Sequence, residues 1–260
     1  MLFLLPPSET KAHGGIPLSI SQVALTFGGL NAARDQVYSK LREVCAGDRA
    51  RAAKVLKLSD RQLDDLDENL RVQDAPVMPA LNRYTGTLFD AIHDRGLKGS
   101  GTENNTLPND AVRRAKELVL IQSSLFGLIP ATDLIPYYRL SATTALPDLS
   151  LKQLWAEAHV PIWKRLEQGP IIDMRSKQYA MLAPIPDTVE HFELDVALEK
   201  ADGTREQLNH FNKKAKGMLI NAVLTAKAAP QTVAELGKCA KLKGMRLERS
   251  GRQLTLVTFA

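Results

Sequence analysis

The sequence predicts a mixed α/β fold: one compact domain with a mixed sheet flanked by helices. Short apolar runs and one strictly alternating run recur along the 260 residues. Segments with helical spacing separate them, and no internal repeat or low-complexity tract divides the chain. Interleaved strands and helices of this kind bury their apolar faces against one another in layers around a shared core.

Met1–Leu5 is an apolar run stopped by Pro6 and Pro7, and it reads as a buried strand; the PPSETKAHGG that follows reads as a loop. From about Asn31 to Leu70 the pattern is helical, with Val37, Leu41 and Val44 at three- and four-residue spacing. A second helix is expected over Asp48–Lys57. Ser59 with Gln62 three residues on makes a capping box for a third helix running to about Arg71, which gives a helical hairpin over Val55–Leu70. Ala75–Ala80 is proline-bounded and reads as extended. Asp110 caps a helix to Glu117, and Leu118–Gln122 reads as a buried strand. The stretch from Ser123 to Leu149 has few periodic segments and is expected to be a long functional loop. Leu151–Leu166 is helical, and Pro170–Met174 is a third apolar strand. His191–Glu199 alternates, with Phe192, Leu194, Val196 and Leu198 on one face. Asp-Gly centres a turn at Ala201–Thr204. Helices are expected at Phe211–Ala228 and Thr232–Leu242, and a hairpin about Ser250–Gly251 closes the chain.

The chain is 44% hydrophobic and 24% charged, an ordinary globular balance that argues against disorder. A formal charge of +5 suits an anionic partner without specifying one. The two cysteines, Cys45 and Cys239, and five scattered histidines form neither a disulfide framework nor a metal-ligand pattern, so no metal and no cofactor are expected. No run reaches the ~20 apolar residues of a membrane span, and the opening apolar run lacks a basic leader. A cytoplasmic protein is expected.

Five polar stretches are candidates for chemistry. In PPSETK, Ser8 and Thr10 offer hydroxyls, Glu9 a carboxylate and Lys11 a cation, at the point where loops leaving central strands hold ligands. In NRYTG, Arg83 beside Tyr84 offers an anion grip and a ring to stack, and Gly86 allows close backbone approach. In PYYRLSATT, Tyr138, Arg139 and Ser141 read as a polar pocket wall. In IIDMRSKQY, Arg175, Ser176 and Tyr179 follow a strand end. In HFNKKAKG, Asn212, Lys213 and Lys216 lie at the start of a helix whose free N–H groups suit an anion, with His210 or Asn209 as its cap. A solvated lysine face is the competing reading there. On the helical hairpin, Arg51, Lys54, Lys57 and Arg61 fall at spacings that make one basic stripe for a phosphate backbone. Asp64, Asp65, Asp67 and Glu68 follow closely and oppose that use if they share its surface.

Taken together, LLPPSETK, MPALNRYTGTLFDAI, LIQSSLFGLIPATDLIPYYRLSATTALP, LWAEAH, IIDMRSKQYAMLAPIP and HFNKKAKG resemble the YaaA family of peroxide-stress proteins over nearly the whole chain, in its actinobacterial-type branch. The resemblance implies one α/β domain over 1–260 with a helix–hairpin–helix element, here a helical insertion at about 31–71, and a positively charged cleft. It also implies binding to double-stranded DNA and a role in limiting iron-driven oxidative damage. The hairpin turn reads LKLSD where the usual element carries a glycine.

Two functions are therefore expected. One is a stress protein that holds double-stranded DNA, or another phosphate-bearing ligand, on the basic cleft. The other is an enzyme acting on a small anionic metabolite or nucleotide in the same cleft. There Glu9 and Tyr179 would exchange protons, Lys11 or Lys213 would act as base or nucleophile, and Arg83, Arg139 and Arg175 would clamp charge.

Overall fold

The computed structural model describes residues 1–96, 101–102, 104–167, 169–206 and 209–259, the side chains of residues 209–211 excepted. Strand β1 (Leu2–Leu5) opens the chain, and helices α1 (Asn31–Ala46), α2 (Arg49–Leu56) and α3 (Asp65–Leu70) follow. Next come β2 (Met78–Pro79), α4 (Ala80–Arg83), α5 (Thr87–Ile92) and α6 (Asn109–Leu118), the last running without a loop into β3 (Val119–Ser123). Strands β4 (Gly127–Pro130) and β5 (Leu134–Ile135) precede α7 (Leu151–Arg165), β6 (Ile171–Asp173) and α8 (Lys177–Leu182). The rest is β7 (His191–Glu199), β8 (Arg205–Glu206), α9 (Asn209–Thr225), α10 (Val233–Leu242), β9 (Arg246–Ser250) and β10 (Gln253–Phe259).

The main sheet has the order β4-β3-β1-β6-β7-β10-β9, with β8 paired to β7. The neighbours β3, β1, β6, β7 and β10 are mutually parallel, and the antiparallel β4, β8 and β9 lie at its margins. Strand β1 is central because Phe3, Leu4 and Leu5 are all fully buried, as a parallel strand covered on both faces must be. From β1 the chain pairs β3 on one side and later returns to pair β6 on the other. At such a reversal open α/β sheets bind ligands in the crevice outside the carboxyl ends of the two strands, here β1 and β6.

The alternation in β7 is realised: Phe192, Leu194 and Val196 are buried while Glu193 and Asp195 face solvent. The closing hairpin also forms, Ser250 pairing with Gln253 across a turn in which Gly251 has φ +59°. The expected loop from Ser123 to Leu149 contains two short strands, β4 and β5, and is irregular from residue 136 onward. β4 folds straight back on β3, and β5 pairs with β2. Two features hid β4: Pro130 at its end, and Gly127 (φ +65°), where a Cβ would sit 2.6 Å from the Trp155 ring.

In the hairpin region Asp48 caps α2 by accepting from Arg51 N–H at 2.8 Å. Ser59 N–H donates to Gln62 at 3.1 Å as the capping box requires, but the box opens a 3-10 turn (Asp60–Gln62), and α3 begins only at Asp65. Lys57 takes the left-handed conformation (φ +55°) that a glycine would otherwise supply. Helix α9 packs on α5 at Gly217, where a Cβ would lie 2.2 Å from the Leu88 carbonyl oxygen. The expected cap of α9 at His210 or Asn209 falls on side chains outside the described residues. Cys45 and Cys239 are buried free thiols.

Candidate functional site

The loop after β1 delivers Ser8, Glu9, Thr10 and Lys11 to the crevice, and Lys11 pairs with Tyr84 in an isolated antiparallel bridge. The Lys11 ammonium lies 4.3 Å from the Tyr138 ring centroid and 5.5 Å from that of Tyr84. It donates to the Ser8 carbonyl at 3.1 Å and the Glu9 carbonyl at 3.4 Å. Burial disfavours its charge and pulls its pKa down to about 7, while the nearby Glu9 carboxylate works against that shift.

The rings around it are tied to the sheet. Tyr84 and Tyr138 hydroxyls are 2.8 Å apart, and Tyr138 lies 2.8 Å from the Ser123 hydroxyl at the carboxyl end of β3. Ser123 in turn accepts from Leu125 and Phe126 N–H, which builds the tight turn into β4. Burial raises the pKa of Tyr84 well above its ordinary value, takes that of Tyr138 to about 12, and raises that of Tyr179 too. All three are therefore neutral phenols at physiological pH, able to donate hydrogen bonds.

At the mouth, Tyr179 donates to Glu9 Oε1 at 3.4 Å, and Arg139 lies 3.5 Å from Glu9 Oε2. Arg139 also donates to the Glu9 carbonyl at 2.9 Å and faces Asp65 of α3 at 3.9 Å. The Ser8 and Thr10 hydroxyls are 3.1 Å apart. Gly86 (φ +92°) admits Thr10, since a Cβ there would lie 3.2 Å from the Thr10 hydroxyl oxygen. On the β6 side, Asp173 grips Arg175 by both carboxylate oxygens (2.9 and 2.8 Å), and Arg175 also donates to the Ala183 carbonyl at 2.8 Å. Lys216, from α9, donates to the Met174 carbonyl at 3.1 Å, and burial lowers its pKa.

The structure thus gathers Ser8, Glu9, Thr10, Lys11, Tyr84, Tyr138, Arg139 and Tyr179 at one end of the sheet, with Arg175 and Lys216 beneath the β6 end. It treats the other expected residues differently. Arg83 is completely buried and donates to the carbonyls of Ala12, Gly14 (2.9 Å), Pro76 (2.8 Å) and Ile135 (3.2 Å). It braces the backbone from beneath, and burial lowers its pKa to about 10, still charged at neutral pH. Lys213 is exposed while Lys216, one turn on, is buried, so the two do not share an environment. Asn212 is half-buried, and Ser141 sits in the 141–144 turn with Thr143 and Thr144. Arg51, Lys54, Lys57 and Arg61 are exposed on the hairpin, and Lys57 reaches the Thr143 carbonyl at 3.3 Å.

Sequence reasoning passed over Gln122, Ser123 and Asn69, and read Asp65 only as a charge opposing a phosphate. Gln122 links Arg175 (3.5 Å) to His159, whose Nδ1 donates to the Trp155 carbonyl at 2.7 Å and whose Nε2 faces the Gln122 amide at 3.5 Å. Burial takes the His159 pKa down to about 4. Asn69 accepts from the Arg139 N–H at 2.7 Å and donates to its carbonyl at 2.9 Å, fixing the residue that faces Glu9. The signal for Gln122 and Ser123 was two polar residues ending an apolar run, at the carboxyl end of a predicted strand. Among the described residues no group of three or more His, Cys, Asp or Glu could hold a metal ion, and no helix is long and apolar enough to cross a membrane.

Comparisons with known proteins agree with the sequence motifs. A UPF0246 protein of Corynebacterium glutamicum is 33% identical over 264 residues, covering 100% of this chain and 99% of its own length. A UPF0246 protein of Streptomyces coelicolor is 34% identical and covers 95% of this chain and 92% of its own length. One from Corynebacterium efficiens is 34% identical, with 98% of each chain covered. Because the family model described as peroxide stress protein YaaA also matches residues 1–250, the chain belongs to the YaaA family of peroxide stress proteins.

Proposed function

We propose that this peroxide stress protein binds a small anionic metabolite at the β1–β6 crevice and moves a proton on it with Lys11. The observation that carries the reading is the placement of the Lys11 ammonium. It is buried between two tyrosine rings at the carboxyl end of the central strand, with a pKa near neutrality. Serving as base, Lys11 accepts a proton in its amine form and returns it as ammonium. Glu9 and Tyr179 at the mouth relay protons to solvent, and Arg139 with the Ser8 and Thr10 hydroxyls meets the ligand's negative charge. The crevice favours a small ligand over a duplex because Lys11, Arg83, Arg175 and Lys216 are all less than a tenth exposed, out of reach of a phosphate backbone. Carbon-13 dimethylation of the lysines, followed by NMR titration, tests this. A resonance lost in Lys11→Arg should titrate near pH 7, and a midpoint near 10 would sink the role of Lys11 as a base.

A second reading, DNA binding, is favoured by the hairpin. Arg51, Lys54, Lys57 and Arg61 are exposed there, and Lys57 supplies the left-handed turn residue in place of glycine. Such cations would neutralise phosphates of double-stranded DNA and support a part in limiting iron-driven damage. Fluorescence anisotropy on a short duplex across a salt series checks it. Affinity should fall steeply with salt, and replacing Arg51 and Lys54 by alanine should lower the logarithmic slope by roughly two. An affinity indifferent to salt would dismiss the hairpin as a phosphate contact.

A further inference from the structure

We propose that the cleft beside the crevice is a base-binding subsite, so that the anionic ligand is a guanine-type purine nucleoside monophosphate; this rests on the crevice reading and names its substrate class. The cleft has a volume of about 350 Å³ and is lined by His13, Gly14, Glu68, Arg71, Asp74 and Tyr137, among others. It adjoins the crevice along the chain. The segment leaving Lys11 runs antiparallel to the chain between Val77 and Tyr84, bridged at Lys11–Tyr84 and Ile16–Val77. His13 is two residues from Lys11, and at ~3.3–3.6 Å per extended residue the two lie within about 7 Å along the backbone. A nucleoside monophosphate stacked on the exposed His13 ring is long enough to extend to the exposed Thr10 beside Lys11.

The cleft offers what a nucleobase needs. The His13 ring lies on the Tyr137 ring with centroids 4.4 Å apart and planes 13° from parallel. His13 is exposed, so the stacked pair presents a flat platform on which a further ring can stack. Glu68 and Asp74 supply acceptors at the edge, matching adjacent ring N–H and exocyclic amino donors, as on guanine. Arg71 lines the cleft beside these carboxylates, so the stacking platform rather than charge sets the orientation: base on His13, phosphate toward Ser8, Thr10 and Arg139. A polar chain joins the two ends. Tyr137 donates to Asp65 at 2.7 Å, Asp65 faces Arg139, and Arg139 reaches Glu9.

The walls are preformed. Arg83 donates to the Gly14 and Pro76 carbonyls from below, holding the two lips together. At Gly15 (φ +134°) a Cβ would lie 2.4 Å from the Val77 carbonyl oxygen, so the lips approach as closely as backbone allows. A preformed cleft spends little binding energy on ordering itself.

Isothermal titration with GMP and with ribose 5-phosphate tests the assignment. The full chain should bind GMP at least about tenfold more tightly than ribose 5-phosphate, the gain expected from stacking one base. His13→Ala and Glu68→Gln should each remove most of that difference and leave ribose 5-phosphate binding unchanged; both are surface changes that spare the core. Equal affinity for the two probes in the unaltered protein would overturn the base subsite while the crevice reading survives. Failure of both probes to bind would overturn the whole nucleotide assignment, and the Lys11 titration then decides the crevice reading separately. A GMP affinity indifferent to Glu68→Gln would overturn the guanine assignment.

Discussion

In the crevice, Lys11, Arg83, Arg175 and Lys216 lie below the surface, each held by carbonyl oxygens or a carboxylate. On the hairpin, Arg51, Lys54, Lys57 and Arg61 lie in solvent, and among the described residues none of them forms an ion pair. The same residue types thus do different physical work. A buried cation must be matched donor by donor or it unfolds its surroundings. An exposed one is screened within a Debye length and costs almost nothing to keep or lose. Stability experiments should report on the crevice, and salt-dependent binding experiments on the hairpin.

The largest expected effect is at Arg83. Arg83→Met leaves four carbonyl oxygens without their donor and should cost about 3–5 kcal/mol in denaturant unfolding. A loss under ~1 kcal/mol would mean that the backbone of residues 12–16 holds itself in place without the guanidinium.

Lys11 comes next, and its signature is in pH. Its pKa is about 7 when folded against 10.5 when exposed, so between those values the unfolded chain binds the extra proton. The wild type should gain stability over Lys11→Met as pH rises through that window, by up to about 1.4 kcal/mol per unit. Parallel stability curves for the two proteins would remove the buried ammonium from the account. His159 acts on the acid side. With a folded pKa of about 4 against 6.5, it should drain stability as pH falls from 6.5 toward 4. His159→Gln should flatten that limb, and an unchanged limb would mean that the buried imidazole takes up its proton as readily as the unfolded one.

The smallest effect belongs to the hairpin. Lys54→Ala and Arg61→Ala should each shift stability by less than ~0.5 kcal/mol while weakening any duplex binding. A stability loss above ~1 kcal/mol would show these side chains working inside the fold, and the contrast between the two regions would dissolve.

Much of the fold was legible because its strands announce themselves physically. β1, β3 and β6 are apolar runs bounded by proline or polar residues, and β7 alternates with period two. β4 was not legible, since the glycine and proline that read as loop punctuation serve a tight turn and a margin strand. The residues of the site were legible as types. Lys11, Tyr84, Tyr138, Arg139 and Tyr179 do converge, although they come from distant segments. Their environments were not legible. Spacing says which face a side chain takes, but not what its donors meet there. Arg83 and Arg139 look alike in the sequence, yet one is enclosed by carbonyls and the other stands beside Glu9. Asp65 reads only as one of a run of carboxylates that oppose a phosphate, and Asn69 gives no signal, yet they hold Tyr137 and Arg139 in place.

The absence of a side chain at Gly217 reaches further than helix packing. Lys216 precedes it, and the depth of that ammonium beside Met174 depends on how far α9 can sink toward α5. A single hydrogen atom at the crossing works as a shim of minimum thickness. Any bulkier group there would jack the helix outward and draw its buried amine off the end of β6, changing the crevice floor from a position that never faces it.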